Sequence, residues 1–348
     1  MHLRPMLNVW SQSVMENSTK HGKHRRASSA LILIAIFFAV GEPGAVRGDN
    51  VLEADGPGQN LTSINKIYST STAQPAMLAI RGGTILSIHD LIAILPPGGL
   101  TGLQAQGIGS RITAENLSIA ALGLGQTGIS GARGIDGGAV ILDGGKIEIV
   151  GDNSFGLFAD TGTVSAKGAL TISMTGVDSH GVEARGIGSM EIDPNTTITT
   201  AGRGGIGIFA LIGGTVAANG VAITTSGILS LSGFSADGAA ALGGTITLDN
   251  SSITTSGANA KGLHVFDANS KIFGTNLTIT TSGAAASGAE ADKGGLIELN
   301  GQPRPERVAE QKLSRRVIQN DLVEEIEEIR RSDRPPVRCH DEVASAAL

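Results

Sequence analysis

Two glycine-rich hexapeptides are the segments of this sequence with the spacing of a cofactor-binding loop. GLGQTG from Gly123 and GRGGIG from Gly202 both match G-x-G-x-x-G, the pattern that holds a dinucleotide pyrophosphate at the start of a helix. Neither motif is followed by a helical pattern, and both fall at the turn phase of a glycine-rich repeat. We therefore predict β-turns at both places and no cofactor. The sequence has no P-loop, G-x-S-x-G or H-E-x-x-H motif.

Histidine and cysteine are the residue types that most often bind transition metals. His89, His180 and His264 are far apart in the chain, and a metal site would need them to converge with carboxylates. The phase of the repeat does not predict such convergence, so we treat the three as isolated and expect no metal site. The single cysteine, Cys339, excludes a disulfide scaffold and a cysteine zinc site.

Carboxylates on adjacent repeats would favour a polysaccharide lyase or hydrolase. Asp143 and Asp193 occupy similar positions within the repeat. Gly168 occupies this position between them, and Asn219 and Asn250 follow in later units. At about 4.8 Å per stacked strand, the two carboxylates are predicted to lie about 9.6 Å apart. The Asp/Asn series is more typical of turns. An enzyme that acts on glycans stays as the alternative function, and no catalytic residue is assigned.

Aromatic platforms for sugars are scarce. Residues 49–301 contain no tryptophan and one tyrosine, Tyr68. We predict that the phenylalanines of this segment fill the core or cap it. They are Phe155, Phe158, Phe209, Phe234, Phe266 and Phe273.

These residues belong to a unit that repeats about eight times. An isoleucine pentapeptide ending in glycine recurs at steps of 25 to 30 residues. Its copies begin at Ile119, Ile147, Ile172, Ile198, Ile223, Ile253 and Ile279. Paired glycines lie between the copies, and a third series begins at Gly156, Gly181, Gly207 and Gly262. Within a unit the apolar residues alternate, as expected of half-buried strands.

Three short strands in about 25 residues make one coil of a parallel β-helix. We therefore predict an all-β, right-handed parallel β-helix of about eight or more coils, with a narrow aliphatic core. Glycines are expected to supply positive φ at the corners. The longest interruptions, residues 124–136 and 228–237, are candidate display loops or harmless insertions.

Composition divides the chain into four parts. We predict an N-terminal cap with irregular first coils at residues 49–101 and regular repeats at 102–301. A signal segment at 1–48 precedes them and a charged tail at 302–348 follows. The tail has no glycine, although the whole chain has 50. The net charge of −6 does not favour a nucleic-acid partner.

The N-terminal segment has the order of an export signal. A basic run from Lys20 to Arg26 precedes an apolar stretch from Ala30 to Val40, which is too short to cross a bilayer of about 30 Å as a helix. We predict cleavage after Gly48, with Ala45 as the second choice. The first 26 residues are long for such a signal, so either Met15 is the start or the signal is extended.

The C-terminal segment departs from the repeat after Gly301. Leu313, Val317, Leu322 and the following isoleucines are spaced so that Arg307–Arg331 could form one charged helix. The alternatives are a disordered tail, or a frameshift product that follows a repeat cut short.

The cycle of GG-x-I-x-L, ITTSG and GLxA downstream of a long basic signal resembles the passenger regions of pertactin-like autotransporters. The resemblance covers about Gly102 to Gly301. It implies export, passage through an outer-membrane barrel, and action as a surface adhesin or structural shaft toward host surface or matrix ligands. No barrel pattern follows Gly301, so we expect a truncated, monomeric passenger. Alone it would stay in the periplasm, and with a barrel it would reach the outer membrane or cell surface. A non-functional remnant is a further alternative.

Overall fold

The computed structural model describes residues 50–123, 125–301 and 317–318. The predicted signal at 1–48, its cleavage site and most of the predicted tail lie outside these residues. Within the described ranges, no helix is long and apolar enough to cross a membrane.

The described chain is built from strands that follow each other in regular coils. Coils 1 to 3 contain β1 (Leu52–Asp55), β2 (Asn60–Ile64), β3 (Ile67–Thr70), β4 (Met77–Ile80), β5 (Thr84–Ile88), β6 (Leu91–Ile94), β7 (Thr101–Gln106) and β8 (Arg111–Ala121). Coils 4 to 6 contain β9 (Ser130–Ile135), β10 (Ala139–Ile149), β11 (Phe155–Asp160), β12 (Thr163–Met174), β13 (His180–Arg185), β14 (Ser189–Ile192) and β15 (Thr197–Thr200). Coils 7 and 8 contain β16 (Ile208–Leu211), β17 (Thr215–Asn219), β18 (Ala222–Thr225), β19 (Ala239–Leu242), β20 (Thr245–Asp249) and β21 (Ser252–Thr255). Coils 9 and 10 contain β22 (Lys261–Val265), β23 (Lys271–Thr275), β24 (Thr278–Thr281), β25 (Ser287–Ala291) and β26 (Leu296–Asn300), followed by β27 (Val317–Ile318).

All strand pairings between successive coils are parallel, and they form three faces. The first face is the ten-stranded sheet β1-β4-β7-β9-β11-β13-β16-β19-β22-β25. The second face runs from β2 to β26, and the third from β3 to β24. The fold is therefore the predicted all-β, right-handed parallel β-helix, with ten coils where eight or more were expected. At the usual strand spacing it is about 48 Å long.

The isoleucine column confirms the predicted register. Ile147 pairs with Ile172, which pairs with Ile198, and the column continues through Ile223 and Ile253. These side chains are at most 1% exposed. Because one coil cannot bury its apolar side chains alone, this stacking is what makes the narrow core possible.

Two features of the coils differ from the sequence-based expectation. In coils 3 to 5 the second and third strands are continuous, as β8, β10 and β12, and the corner is absorbed by an irregularity between Asp143 and Gly145. Val317–Ile318 pairs with β26 as a short strand, whereas a helix was one of the alternatives for this segment. An unpaired strand edge offers hydrogen bonds that an extended segment can satisfy.

The glycines at the end of each pentapeptide are required for close packing and not for positive φ. Gly176, Gly202, Gly227 and Gly257 have no positive φ. A Cβ on each would clash with the carbonyl oxygen of the equivalent glycine one coil earlier. Many corners instead use asparagine with positive φ, for example Asn250. Asparagine tolerates this conformation better than most residues.

Candidate functional site on the first face

The outward side of the first face concentrates the non-repetitive chemistry of the described chain. One residue per coil, in register from β7 to β25, forms a column that we call the central column. Its members are Gln104, Arg133, Phe158, Glu183, Phe209, Ala240, His264 and Glu290. The outward positions of the third face are short in the later coils, as in Thr197, Thr199, Ala222 and Thr224. The second face carries exposed charges such as Lys167, Glu191 and Lys271. The first face differs from both by its stacked aromatic side chains and by histidines that contact carboxylates.

The two hexapeptides lie in turns, as predicted. Gly202 lies between β15 and β16, and Gly123 lies between β8 and β9, so neither begins a helix. A Cβ on Gly123 would lie 2.8 Å from the Pro96 ring and from Oε1 of Gln126. The space at Gly123 is therefore filled by the protein's own side chains.

His180 is not isolated, and the expectation that it meets no carboxylate is wrong. Its Nδ1 lies 2.7 Å from Oε2 of Glu183, and both residues are buried. Nε2 is buried too and has no hydrogen-bond partner. The imidazole meets the ring of Phe209 edge to face, with centroids 5.0 Å apart. The sequence did not indicate this pair because residues three apart on a regular strand point to opposite sides. An irregular strand start brings the side chains of His180 and Glu183 to the same side.

His264 is also not isolated. Its Nδ1 lies 2.8 Å from Oδ2 of Asp237, and its Nε2 lies 3.3 Å from Oδ2 of Asp292. Glu290, the register partner of His264, completes the group: one ligand atom from each of His264, Glu290 and Asp292 lies within 4.8 Å of the others. The expectation of no convergence is therefore wrong here as well. These three are the residues in the described chain that could hold a metal ion.

The third histidine does behave as expected. His89 is exposed at a corner with φ of 53°. Its Nε2 lies 3.5 Å from Nδ2 of Asn116, which is the limit of a hydrogen bond.

An ion-pair ladder surrounds Phe158 in the central column. The guanidinium groups of Arg133 and Arg185 lie 5.2 and 4.7 Å from the centre of the Phe158 ring, as cation–π contacts. Both also reach Oδ2 of Asp160, at 3.2 and 2.9 Å. The hydrogen bond from Arg185 is the main reason why the pKa of Asp160 lies below its ordinary value of 3.8. The same hydrogen bond raises the pKa of Arg185. This ladder joins three successive coils.

The phenylalanines were predicted to fill or cap the core, and none of them belongs to the main core cluster of the described residues. Phe158 and Phe209 point outward from the first face and are buried there under other side chains. Phe234 and Phe266 pack with Phe209 in a separate apolar cluster. The core between the three sheets is filled mainly by aliphatic side chains, with Tyr68 as an aromatic member in an early coil, and these phenylalanines form an outer layer.

The segment 228–237 supports this layer. Phe234 contacts Phe209 and Phe266, with ring centroids 5.9 and 6.4 Å away, and Asp237 reaches His264. The start and the tip of the segment are open: Ile228 and Leu229 are 47% and 42% exposed, and Leu231 is 98% exposed. The other predicted display loop, 124–136, is shorter than expected because residues 130–135 are strand β9.

The carboxylate series lies on the second face. By register, Asp143 pairs with Lys167, and Lys167 is followed one coil later by Asp193. A lysine therefore separates the two carboxylates, where the sequence suggested Gly168. Further along, Asn250 donates to Asn219 at 3.0 Å and accepts from Asn276 at 3.1 Å. This asparagine ladder satisfies side-chain hydrogen bonds along the corner.

No protein family and no curated protein matches the sequence. Among solved structures, the chain is similar to Vag8 in the cryo-EM structure of the Vag8–C1 inhibitor complex, at 16% identity and a TM-score of 0.49, with 73% of this chain and 74% of that chain covered. It is also similar to the A-module of the mannuronan C-5 epimerase AlgE4 of Azotobacter vinelandii, at 14% identity and a TM-score of 0.34, with 72% and 78% covered. At these identities neither similarity bears on the activity of this chain.

Proposed function

We propose that the chain is an exported passenger of the autotransporter type, and that its β-helix acts as a surface adhesin. Three sequence features support this: the basic run, the apolar stretch and the repeat cycle. Residues 49–301 carry 11 basic and 20 acidic side chains, a net charge of 11 − 20 = −9. Such a charge suits a soluble surface exposed outside the cell.

An exposed apolar patch is the observation that carries the adhesin proposal. A purely structural shaft has no need of large apolar side chains in contact with water. Segment 228–237 instead exposes Ile228, Leu229 and Leu231 to 47%, 42% and 98% beside the central column. Exposed aliphatic groups that share one surface are typical of binding sites. Host surface or matrix ligands are the proposed partners.

Adhesion can be measured with the purified chain on surfaces coated with laminin, fibronectin or collagen. We expect saturable retention on at least one coating. Leu231→Asp should reduce that retention at least fivefold, because it puts a charge in the centre of an apolar contact. The substitution should not affect folding, since Leu231 is 98% exposed.

The matched control is Ile187→Asp. Ile187 is 84% exposed on the turn between the first and second faces, at the edge away from segment 228–237. Equal loss of retention in both variants would contradict the proposed surface. No retention on any coating or on host cells would favour a structural shaft.

Export is tested separately. Fractionation of Gram-negative cells that express the full chain is expected to yield a periplasmic species beginning near Asp49, because a basic run followed by a short apolar stretch directs secretion. Uncleaved chain in the cytosol would contradict this prediction. An outer-membrane barrel is the partner that we propose for passage to the cell surface.

A further inference from the structure

We propose that His264, Glu290 and Asp292 bind a divalent transition-metal ion on the first face, near the C-terminal end of the β-helix. The three residues come from two adjacent coils. His264 and Glu290 are paired in register on β22 and β25, and Asp292 follows the end of β25. Their ligand atoms lie within 4.8 Å of one another. Ligands around a tetrahedral zinc ion are about 3.4 Å apart, so a small contraction would complete the site.

The orientation of His264 is fixed by a buried carboxylate. Asp237 is fully buried, and its Oδ2 faces Nδ1 of His264 at 2.8 Å. Its other oxygen accepts hydrogen bonds from Ser235 Oγ at 2.7 Å and the Lys261 backbone N–H at 2.8 Å. Asp237 is therefore held in place and accepts the Nδ1 proton of His264. A carboxylate that accepts the other ring N–H is the usual partner of a metal-binding histidine.

The other ring nitrogen then faces the metal position. When Nδ1 carries the proton of a neutral imidazole, Nε2 has only a lone pair. It points to Oδ2 of Asp292 at 3.3 Å, and that oxygen also offers only lone pairs when ionised. Two acceptors do not attract each other directly. A cation between them would turn this contact into two coordination bonds.

The local charges also favour a cation. Asp237, Glu290 and Asp292 carry three negative charges. Lys261 is the positively charged side chain paired with the group, with its Nζ 3.9 Å from Oε2 of Glu290. With neutral His264 the sum is −2, and a divalent ion brings it to zero. Asp237 is buried, and Glu290 and Asp292 are 30% and 46% exposed, so only part of this excess charge is solvated and the rest is costly without compensation.

The donor set selects the class of ion. One imidazole nitrogen with two carboxylates suits zinc or manganese better than calcium, which prefers six to eight oxygen ligands. Three protein ligands leave at least one position for water. Asp292 lies at the open side of the group, since its side chain is 46% exposed. A bound ion would therefore be accessible to an external ligand.

Isothermal titration of the purified full chain with Zn²⁺ tests the site. We expect one ion per chain with saturable binding, and a rise in the unfolding temperature that EDTA reverses. Asp292→Asn and Glu290→Gln should each weaken binding at least tenfold. Asp292→Asn should fold normally because its side chain is half exposed.

Glu298→Gln is the matched control, because Glu298 lies on the second face of the same coil. It should leave Zn²⁺ affinity unchanged. The proposal is overturned if the native chain shows no saturable binding, if it binds Ca²⁺ more tightly than Zn²⁺, or if Asp292→Asn binds Zn²⁺ as well as the native chain does. If the native chain shows no saturable binding, a proton on Nε2 of His264 would explain the contact of this nitrogen with Asp292.

Discussion

Replacement of Ile223 by aspartate is expected to lower the free energy of unfolding by about 3 to 5 kcal/mol. Ile223 is 1% exposed and lies in the isoleucine column between Ile198 and Ile253. A carboxylate there would be surrounded by aliphatic side chains, without a hydrogen-bond donor or a counter-ion. It would also interrupt a column on which the coils at both sides depend.

Thr224→Asp gives the matched control, one residue further along the same strand. Thr224 points outward between Thr199 and Thr254 and is exposed. Urea unfolding followed by circular dichroism should show a much lower midpoint for Ile223→Asp and a change below about 0.5 kcal/mol for Thr224→Asp. If both substitutions had the same effect, the inward column would be contradicted.

The contrast between Ile223 and Thr224 also shows why the fold could be predicted from sequence. Side chains alternate between the two sides of a strand, and stacked coils place equivalent residues in one column. The pentapeptide therefore specifies both the strand direction and the register. Within the described chain, the isoleucine column follows the predicted pairing from Ile119 to Ile279.

The histidine sites were harder to predict because they depend on residues outside the core pattern. The strand pairing of His264 with Glu290 could have been found, since Gly262 begins one unit and Gly288 begins the next in the same phase. The contact between Asp237 and His264 could not have been found, because Asp237 ends the irregular segment 228–237 and reaches His264 from one coil earlier. A repeat predicts register but not the path of an insertion.

The outer aromatic layer illustrates a different limit. The sequence shows that Phe158 and Phe209 occur in strands, but alternation alone leaves two possible sides. The deciding factor is the space inside each coil, which is filled mainly by aliphatic side chains. That space depends on tertiary packing, which the strand pattern alone does not give.

A glycine column on the first face sets this close packing. Each of its members lies opposite the pentapeptide isoleucine that follows it in the chain, across the core. The pairs are Gly131 with Ile147, Gly156 with Ile172, Gly181 with Ile198, Gly207 with Ile223, Gly238 with Ile253 and Gly262 with Ile279. None of these glycines has a positive φ, so space and not backbone conformation requires them.

Gly207→Ala is accordingly expected to lower the free energy of unfolding by roughly 3 kcal/mol through overpacking. A Cβ at Gly207 would lie 2.5 Å from the carbonyl oxygen of Gly238, and closer still to Cγ2 of Ile223. Neither atom can move freely, because one belongs to the next coil and the other to the core column.

Gly233→Ala is the control: its Cβ would meet nothing within 4 Å, although its φ is +91°. It should cost about 1 kcal/mol from backbone strain alone. Urea unfolding of the two variants separates the effects, and an equal cost would show that Gly207 is retained for its backbone freedom and not for the space that it leaves to Ile223.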